Sequence, residues 1–140
     1  RTQAAGETES YYANFMLRYN VIAICSGHVD QVFWWRLSAK GYGLVDDQNE
    51  FKPRLAFNAL QYFLVRLGDA TFIKKWPSAK NTYILEFRNA TQQILMAWTT
   101  KGESNELVDF DAQKVYDRDG NNIKTKITSE APIYLVRTLL

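Results

Sequence analysis

The chain has 140 residues, 46% of them hydrophobic, so it is long enough and apolar enough to build one ordinary domain or two small ones around a packed core. Its 17 Lys and Arg residues nearly balance its 15 Asp and Glu residues and are scattered, which excludes any strong expectation of a nucleic acid or an anionic membrane surface as partner. No run approaches the roughly 18 consecutive apolar residues that a membrane span requires, so no span is expected.

The first predicted element is a helix over residues 8–26. Thr8 is a suitable N-cap, and Gly27 supplies a stop. The single cysteine, Cys25, lies in this apolar stretch and is interpreted as a small buried hydrophobe rather than a nucleophile. Three- and four-residue spacing gives the helix one apolar stripe, made of Tyr12, Phe15, Met16, Tyr19, Ile22 and Ala23.

The next predicted element is a strand over residues 32–37, with the sequence Val-Phe-Trp-Trp-Arg-Leu. A short apolar run without alternation, rich in aromatic residues, is typical of a strand buried on both faces of a parallel sheet. The turn before it holds the only histidine, His28, for which a structural role is expected. A long loop over residues 38–52 leaves the strand's C-terminal end, where α/β enzymes hold their substrates.

Pro53 fits the first position of a second helix, which Gly68 ends. Its predicted apolar stripe consists of Ala56, Leu60, Phe63, Leu64 and Leu67. After Gly68 the apolar period changes from helical to two, which predicts seven short strands in an antiparallel sandwich or half-barrel. The strand candidates are residues 72–76, 81–88, 92–99, 106–110, 114–116, 123–127 and 133–138. We therefore expect two domains, residues 1–68 and 69–140.

This order of elements resembles the end of the eightfold β/α barrel in retaining glycoside hydrolases, including relatives of the β-xylosidase and α-iduronidase group. The likeness is sharpest over residues 33–60, which include Trp34-Trp35-Arg36-Leu37 and the loop Gly-Tyr-Gly-Leu-Val-Asp at residues 41–46. It implies an α/β plus all-β fold, in which the last helix, strand and helix of a (β/α)8 barrel precede a small antiparallel β-sandwich. The rest of the same polypeptide would complete the barrel.

The resemblance also implies a function, that of the C-terminal portion of a glycoside hydrolase acting on a poly- or oligosaccharide. In such enzymes the eighth strand delivers a tryptophan that forms the floor of a sugar subsite, and Trp35 matches it by position. Neighbouring strand residues point to opposite sides, so Trp34 and Trp35 cannot both face the sugar. Arg36 would donate hydrogen bonds to sugar hydroxyls, and Tyr42 would line the same subsite.

The catalytic glutamates of these families end strands four and seven, both upstream of this chain, so the chain alone is expected to be inactive. Glu7 and Glu9 are the weak catalytic candidates, but their position favours an interaction with the helix dipole. No phosphate loop and no Cys/His cluster is present, so no cofactor or metal is expected. The likeness suggests a periplasmic or extracellular location.

Two alternatives stay open. The first is a non-catalytic carbohydrate-binding or polysaccharide-assembly protein with a barrel-like fold, which would lack the carboxylates. The second is an interaction module formed by the sandwich alone, which predicts an exposed aromatic face on the sandwich. Separately, the candidates for an exposed sugar-binding face on the sandwich are Trp76, Trp98 and Tyr134, although aromatic residues at period two are more typical of a core. The acidic segment at residues 117–121 fits a hairpin turn better than a calcium loop.

Overall fold

The computed structural model describes residues 5–34, 37–38 and 43–140, with side chains from residue 9 onward. The described elements are α1 (Ala5–Cys25), β1 (Val45–Asp46), β2 (Lys52–Pro53), α2 (Leu55–Leu67), β3 (Thr71–Lys75), β4 (Thr82–Arg88), β5 (Gln92–Thr99), β6 (Lys114–Tyr116), β7 (Asn122–Ile123) and β8 (Ile133–Thr138). Two compact units, Arg1–Tyr62 and Phe63–Leu140, divide inside α2. Neither described helix combines the length and apolar character needed to cross a membrane.

Helix α1 begins at Ala5, before the predicted cap, and ends at Cys25, where Gly27 adopts a φ of 77° that favours glycine. Its buried positions include Ala13, Met16, Leu17 and Val21. Phe15, Tyr19 and Ile22, which were predicted to share the buried stripe with Met16, are exposed instead. The predicted single stripe is therefore wrong, because apolar residues occupy two faces of this helix.

The predicted buried strand at residues 32–37 is wrong over its described part. Residues 32–34 have no regular structure, Phe33 is 82% exposed and Leu37 is 60% exposed. A strand persists only where a neighbour satisfies its backbone hydrogen bonds. Among the described residues of this unit, the only ladder is the two-residue pairing of β1 with β2, and Ser38 contributes an isolated parallel bridge to Val45. The barrel-derived part of the fold class therefore stays a prediction.

The second unit confirms the coarser expectation of helices combined with an antiparallel sheet. Six strands form one sheet in the order β3-β4-β5-β8-β6-β7, and every pairing is antiparallel. The described strands of this unit form a single sheet, so a sandwich of two sheets is not found there, and the half-barrel alternative stays a prediction. The strand predicted at residues 106–110 is also wrong, since this segment forms turns. Its apolar pattern has another cause, because Leu107 and Phe110 fold back onto one sheet face.

That face holds the main core cluster, in which the described members contact one another across β4, β5, β8 and β6. Its buried members are Ile84, Leu95, Ala97, Leu107, Val115, Ile133 and Leu135. On the opposite face, the rings of Tyr83 and Trp98 stack with centroids 5.1 Å apart. The Arg66 guanidinium of α2 lies 4.4 Å from the centroid of the Tyr116 ring on β6. The central strands β5 and β8 are consequently apolar on both sides, unlike a half-exposed antiparallel sheet.

Helix α2 begins at Leu55, so Pro53 belongs to β2 rather than to the first helical turn. Ala56, Phe63 and Leu67 are buried as predicted, but Leu64 is 57% exposed. The helix ends at Leu67, and the backbone N–H of the next residue, Gly68, donates to the Leu64 carbonyl at 2.8 Å. A Cβ at this position would lie 2.4 Å from the same carbonyl oxygen, which explains why the chain uses glycine here.

Candidate functional site

The predicted sugar subsite falls largely outside the described residues. Trp35, Arg36 and Tyr42 all lie outside them, so the structure does not place the subsite. The backbone of Glu7 belongs to α1, but its side chain is also outside the described residues. Of the five predicted site residues, only Glu9 has a described side chain, and its neighbours define the first candidate site.

Glu9 forms an ion pair with Arg54. The Arg54 Nη1 donates to Glu9 Oε1 at 3.1 Å, and the two side chains are 14% and 32% exposed. Arg54 directly follows β2, whereas Glu9 belongs to α1, so the pair ties the end of the β1–β2 hairpin to the first helix. The Glu9 carboxylate is engaged by a charge-assisted hydrogen bond from Arg54, which favours a structural or binding role for Glu9.

One turn along α1, Tyr12 contacts the residue that precedes the predicted subsite. The Trp34 Nε1 donates to the Tyr12 hydroxyl at 3.2 Å, and the two rings meet edge to face with centroids 5.8 Å apart. Burial raises the pKa of Tyr12 and outweighs the opposing effects of the Trp34 hydrogen bond and the Arg54 charge, while the Glu9 charge adds to the rise. The Tyr12 hydroxyl therefore stays protonated at neutral pH.

We call this set of interacting side chains the α1 cluster. Its members are Glu9, Tyr12, Trp34 and Arg54. Its members anchor both ends of residues 35–53, because Trp34 immediately precedes this segment and Arg54 immediately follows it. The Arg54 Nε is buried and has no hydrogen-bond partner among the described residues. A buried donor of this kind is costly unless an acceptor reaches it. The cluster therefore combines aromatic rings, a carboxylate and a guanidinium with an unfilled donor.

A second polar group, missed by sequence reasoning, lies in the sheet. Glu86 on β4 is 1% exposed and its carboxylate accepts three hydrogen bonds, from Arg88 Nε at 2.7 Å, Trp76 Nε1 at 2.8 Å and Gln93 Nε2 at 2.9 Å. Burial raises the pKa of Glu86, but the three hydrogen bonds and the Arg88 charge together lower it below its ordinary value. Gln93 in turn accepts a hydrogen bond from the Arg137 Nε.

The sequence carried one signal for this network. Glu86 occupies a face that otherwise continues the apolar cluster through Ile84, and its directly paired residue on β5 is Leu95. A lone carboxylate at a core register position must find partners, so this break in the pattern predicts a buried polar network. Arg88 lies two residues along the same strand, whereas Gln93 on β5 and Trp76, which follows β3, could not be identified as partners from local spacing.

Other candidate features have structural roles. Trp98 and Tyr134 are fully buried and Trp76 donates to Glu86, so these three aromatics do not form the exposed sugar-binding face considered above. Burial raises the pKa of the Cys25 thiol to about 11, which makes it a weak nucleophile. Asp117 Oδ1 accepts the backbone N–H groups of Asp119 and Asn121, which closes the β6–β7 turn. Within the described residues, no group of His, Cys, Asp and Glu is arranged to hold a metal ion.

Comparisons of the chain with protein-family models, with curated proteins and with solved structures found no match.

Proposed function

We propose that this chain is the C-terminal portion of a glycoside hydrolase acting on a poly- or oligosaccharide, and that Trp35, Arg36 and Tyr42 supply one of its sugar subsites. The catalytic carboxylates would come from the upstream part of the polypeptide. That part would also complete the barrel to which residues 1–68 would belong.

The α1 cluster is the observation that carries this proposal. It fixes the backbone on both sides of the segment that bears the three subsite residues, and it leaves the Arg54 Nε as a buried donor without a described acceptor. A sugar ring needs an aromatic face for its C–H bonds together with donors and acceptors for its hydroxyls. Trp35 would supply the first, and Arg36, Arg54 and Glu9 the second.

The cluster also supports different roles for the two adjacent tryptophans. Trp34 is engaged by Tyr12, through both a hydrogen bond and an edge-to-face contact. This engagement supports Trp34 as the anchor and Trp35 as the residue available for stacking. The alternative function, a non-catalytic carbohydrate-binding protein, uses the same subsite and differs only in what the upstream polypeptide contributes.

The experiment is a titration of the purified chain with xylan, cellulose and chitin oligosaccharides, followed by tryptophan fluorescence and calorimetry. We expect one of the three kinds of oligosaccharide to bind. We expect Trp35→Ala to weaken that binding roughly tenfold or more, because it removes the aromatic ring on which the sugar stacks. Phe33→Ala is the matched control, because Phe33 is an exposed aromatic two residues earlier in the same segment. Unchanged binding by a folded Trp35→Ala variant, or no binding of any oligosaccharide, would contradict the proposal.

A further inference from the structure

An open groove of about 340 Å³ lies beside the C-terminal end of β8, and we call it the Arg137 groove. It is lined by Asp111, Gln113, Arg137, Thr138, Leu139 and Leu140. All of these residues belong to the second unit, and none of them is a member of the α1 cluster or of the proposed sugar subsite.

The Arg137 side chain is held in a fixed orientation by the buried network behind it. Glu86 is ionised and can only accept, so the Gln93 side-chain amino group must face Glu86 and the Gln93 carbonyl oxygen must face Arg137. Because an arginine can only donate, no other arrangement of the Gln93 amide satisfies both neighbours. The guanidinium carbon also lies 5.0 Å from the centroid of the Phe110 ring. These contacts use the Nε and one face of the guanidinium.

The two terminal amino groups of Arg137 have no hydrogen-bond partner among the described residues, although the side chain lines the groove. Gln113 adds a second donor that is oriented in the same way. Its Oε1 accepts from the Thr138 backbone N–H at 3.0 Å and from the Thr138 hydroxyl at 2.8 Å. This leaves the Gln113 amino group, which has no described partner, for a ligand in the groove.

From these contacts we propose that the Arg137 groove binds a carboxylate ligand, which takes paired hydrogen bonds from the Arg137 guanidinium and a further one from the Gln113 amide. A planar guanidinium held at its Nε presents a fork that matches the two oxygens of a carboxylate. Asp111, exposed at the same groove, opposes a dianion about twice as strongly as a monoanion, which favours a carboxylate over phosphate.

Two sources of such a carboxylate are a sugar acid and the C-terminus of a peptide. Sodium glucuronate is therefore the probe for a sugar acid, with glucose as its uncharged control, and sodium N-acetylglycinate is the probe for a peptide C-terminus. Inorganic phosphate tests the ligand class. Binding to the full chain is followed by calorimetry and by the NMR signals of the Arg137 Nε–H and the Gln113 side-chain amide. We expect at least one carboxylate to shift both signals and glucose to shift neither. Whichever of glucuronate and N-acetylglycinate binds more tightly identifies the source of the carboxylate.

Arg137→Lys keeps the charge but removes the fork, and we expect it to weaken carboxylate binding roughly tenfold or more. Gln113→Met, at an exposed position outside the buried network, should weaken binding while leaving the fold intact. Lys80→Gln, which removes one exposed positive charge elsewhere in the same unit, is the control and should leave affinity nearly unchanged. Phosphate binding more tightly than either carboxylate would overturn the ligand class. Failure of both carboxylates to bind, or binding that neither groove variant alters, would overturn the site.

Discussion

Replacing the buried carboxylate of Glu86 by its amide isostere tests how the sheet interior is held together. In the native chain Oε1 accepts from Arg88 and Gln93, and Oε2 accepts from Trp76. A glutamine offers one acceptor oxygen. Its best orientation places that oxygen at the Oε1 position, so its amino group then faces the indole N–H of Trp76, donor against donor.

The magnitude follows from this geometry. A buried donor left without an acceptor costs about 1–3 kcal/mol, and the two remaining hydrogen bonds each lose the strength that an ionised acceptor gives. The amide no longer pays the desolvation cost of a buried charge, which offsets part of this loss. We expect Glu86→Gln to lower the free energy of unfolding by about 2–3 kcal/mol and the melting temperature by roughly 6–12 °C.

The assay is urea unfolding followed by circular dichroism and tryptophan fluorescence, at neutral pH and again in acid. The folded-state pKa of Glu86 lies below its ordinary value of 4.5, because the three hydrogen bonds outweigh the effect of burial. The ionised form therefore contributes stability that is complete above pH 4.5 and is lost as the pH falls through the folded-state pKa. The difference between the native chain and the variant should shrink accordingly in acid.

Glu103→Gln, at an exposed glutamate, is the control and should change the free energy of unfolding by less than about 0.5 kcal/mol. The reasoning fails if Glu86→Gln is as stable as the native chain at neutral pH. It fails equally if the destabilisation is the same size at neutral pH and in acid, because the missing charge would then not be its cause.

Three further predictions concern individual side chains, each within one unit. Trp34→Phe keeps the ring contact with Tyr12 but removes the 3.2 Å hydrogen bond, so unfolding experiments should find a loss of about 0.5–1.5 kcal/mol; no loss would contradict the anchoring role. Leu107→Ala should cost about 2–5 kcal/mol because Leu107 is 2% exposed in the core cluster, whereas Val108→Ala next to it, at an exposed position, should cost far less in the same denaturant series. Cys25 should react slowly with iodoacetamide at neutral pH and faster as the pH approaches 11, and rapid alkylation at neutral pH would refute its assignment as a half-buried thiol of raised pKa.

The elements that could be predicted from the sequence are those whose apolar pattern depends on contacts with residues close by in the sequence. Alternating residues in β4 and β5 pair with each other across a short turn, so their period of two survives in the sheet. The stripe of α2 is likewise a local property of the helix, apart from Leu64. The run at residues 32–37 differs, because a buried parallel strand depends on neighbours from distant sequence. Its composition indicates a strand, but in its described part the backbone hydrogen bonds to other segments are confined to the Leu37 carbonyl, which accepts from Leu44 and Val45.

The same distinction explains why the candidate sites were only partly foreseen. Glu9 was singled out for its position at a helix start, yet its partner, Arg54, lies on the far side of the loop and the hairpin. Glu86 was overlooked because it was grouped with an apolar strand, and two of its three hydrogen-bond donors, Trp76 and Gln93, lie outside β4. Because a buried charge must be compensated, a carboxylate in an apolar strand is informative even before its partners are known. Glu86, an exception to the hydrophobic pattern, therefore indicates the buried polar network more directly than any motif in this chain. The network continues through Gln93 to Arg137, whose side chain lines the Arg137 groove.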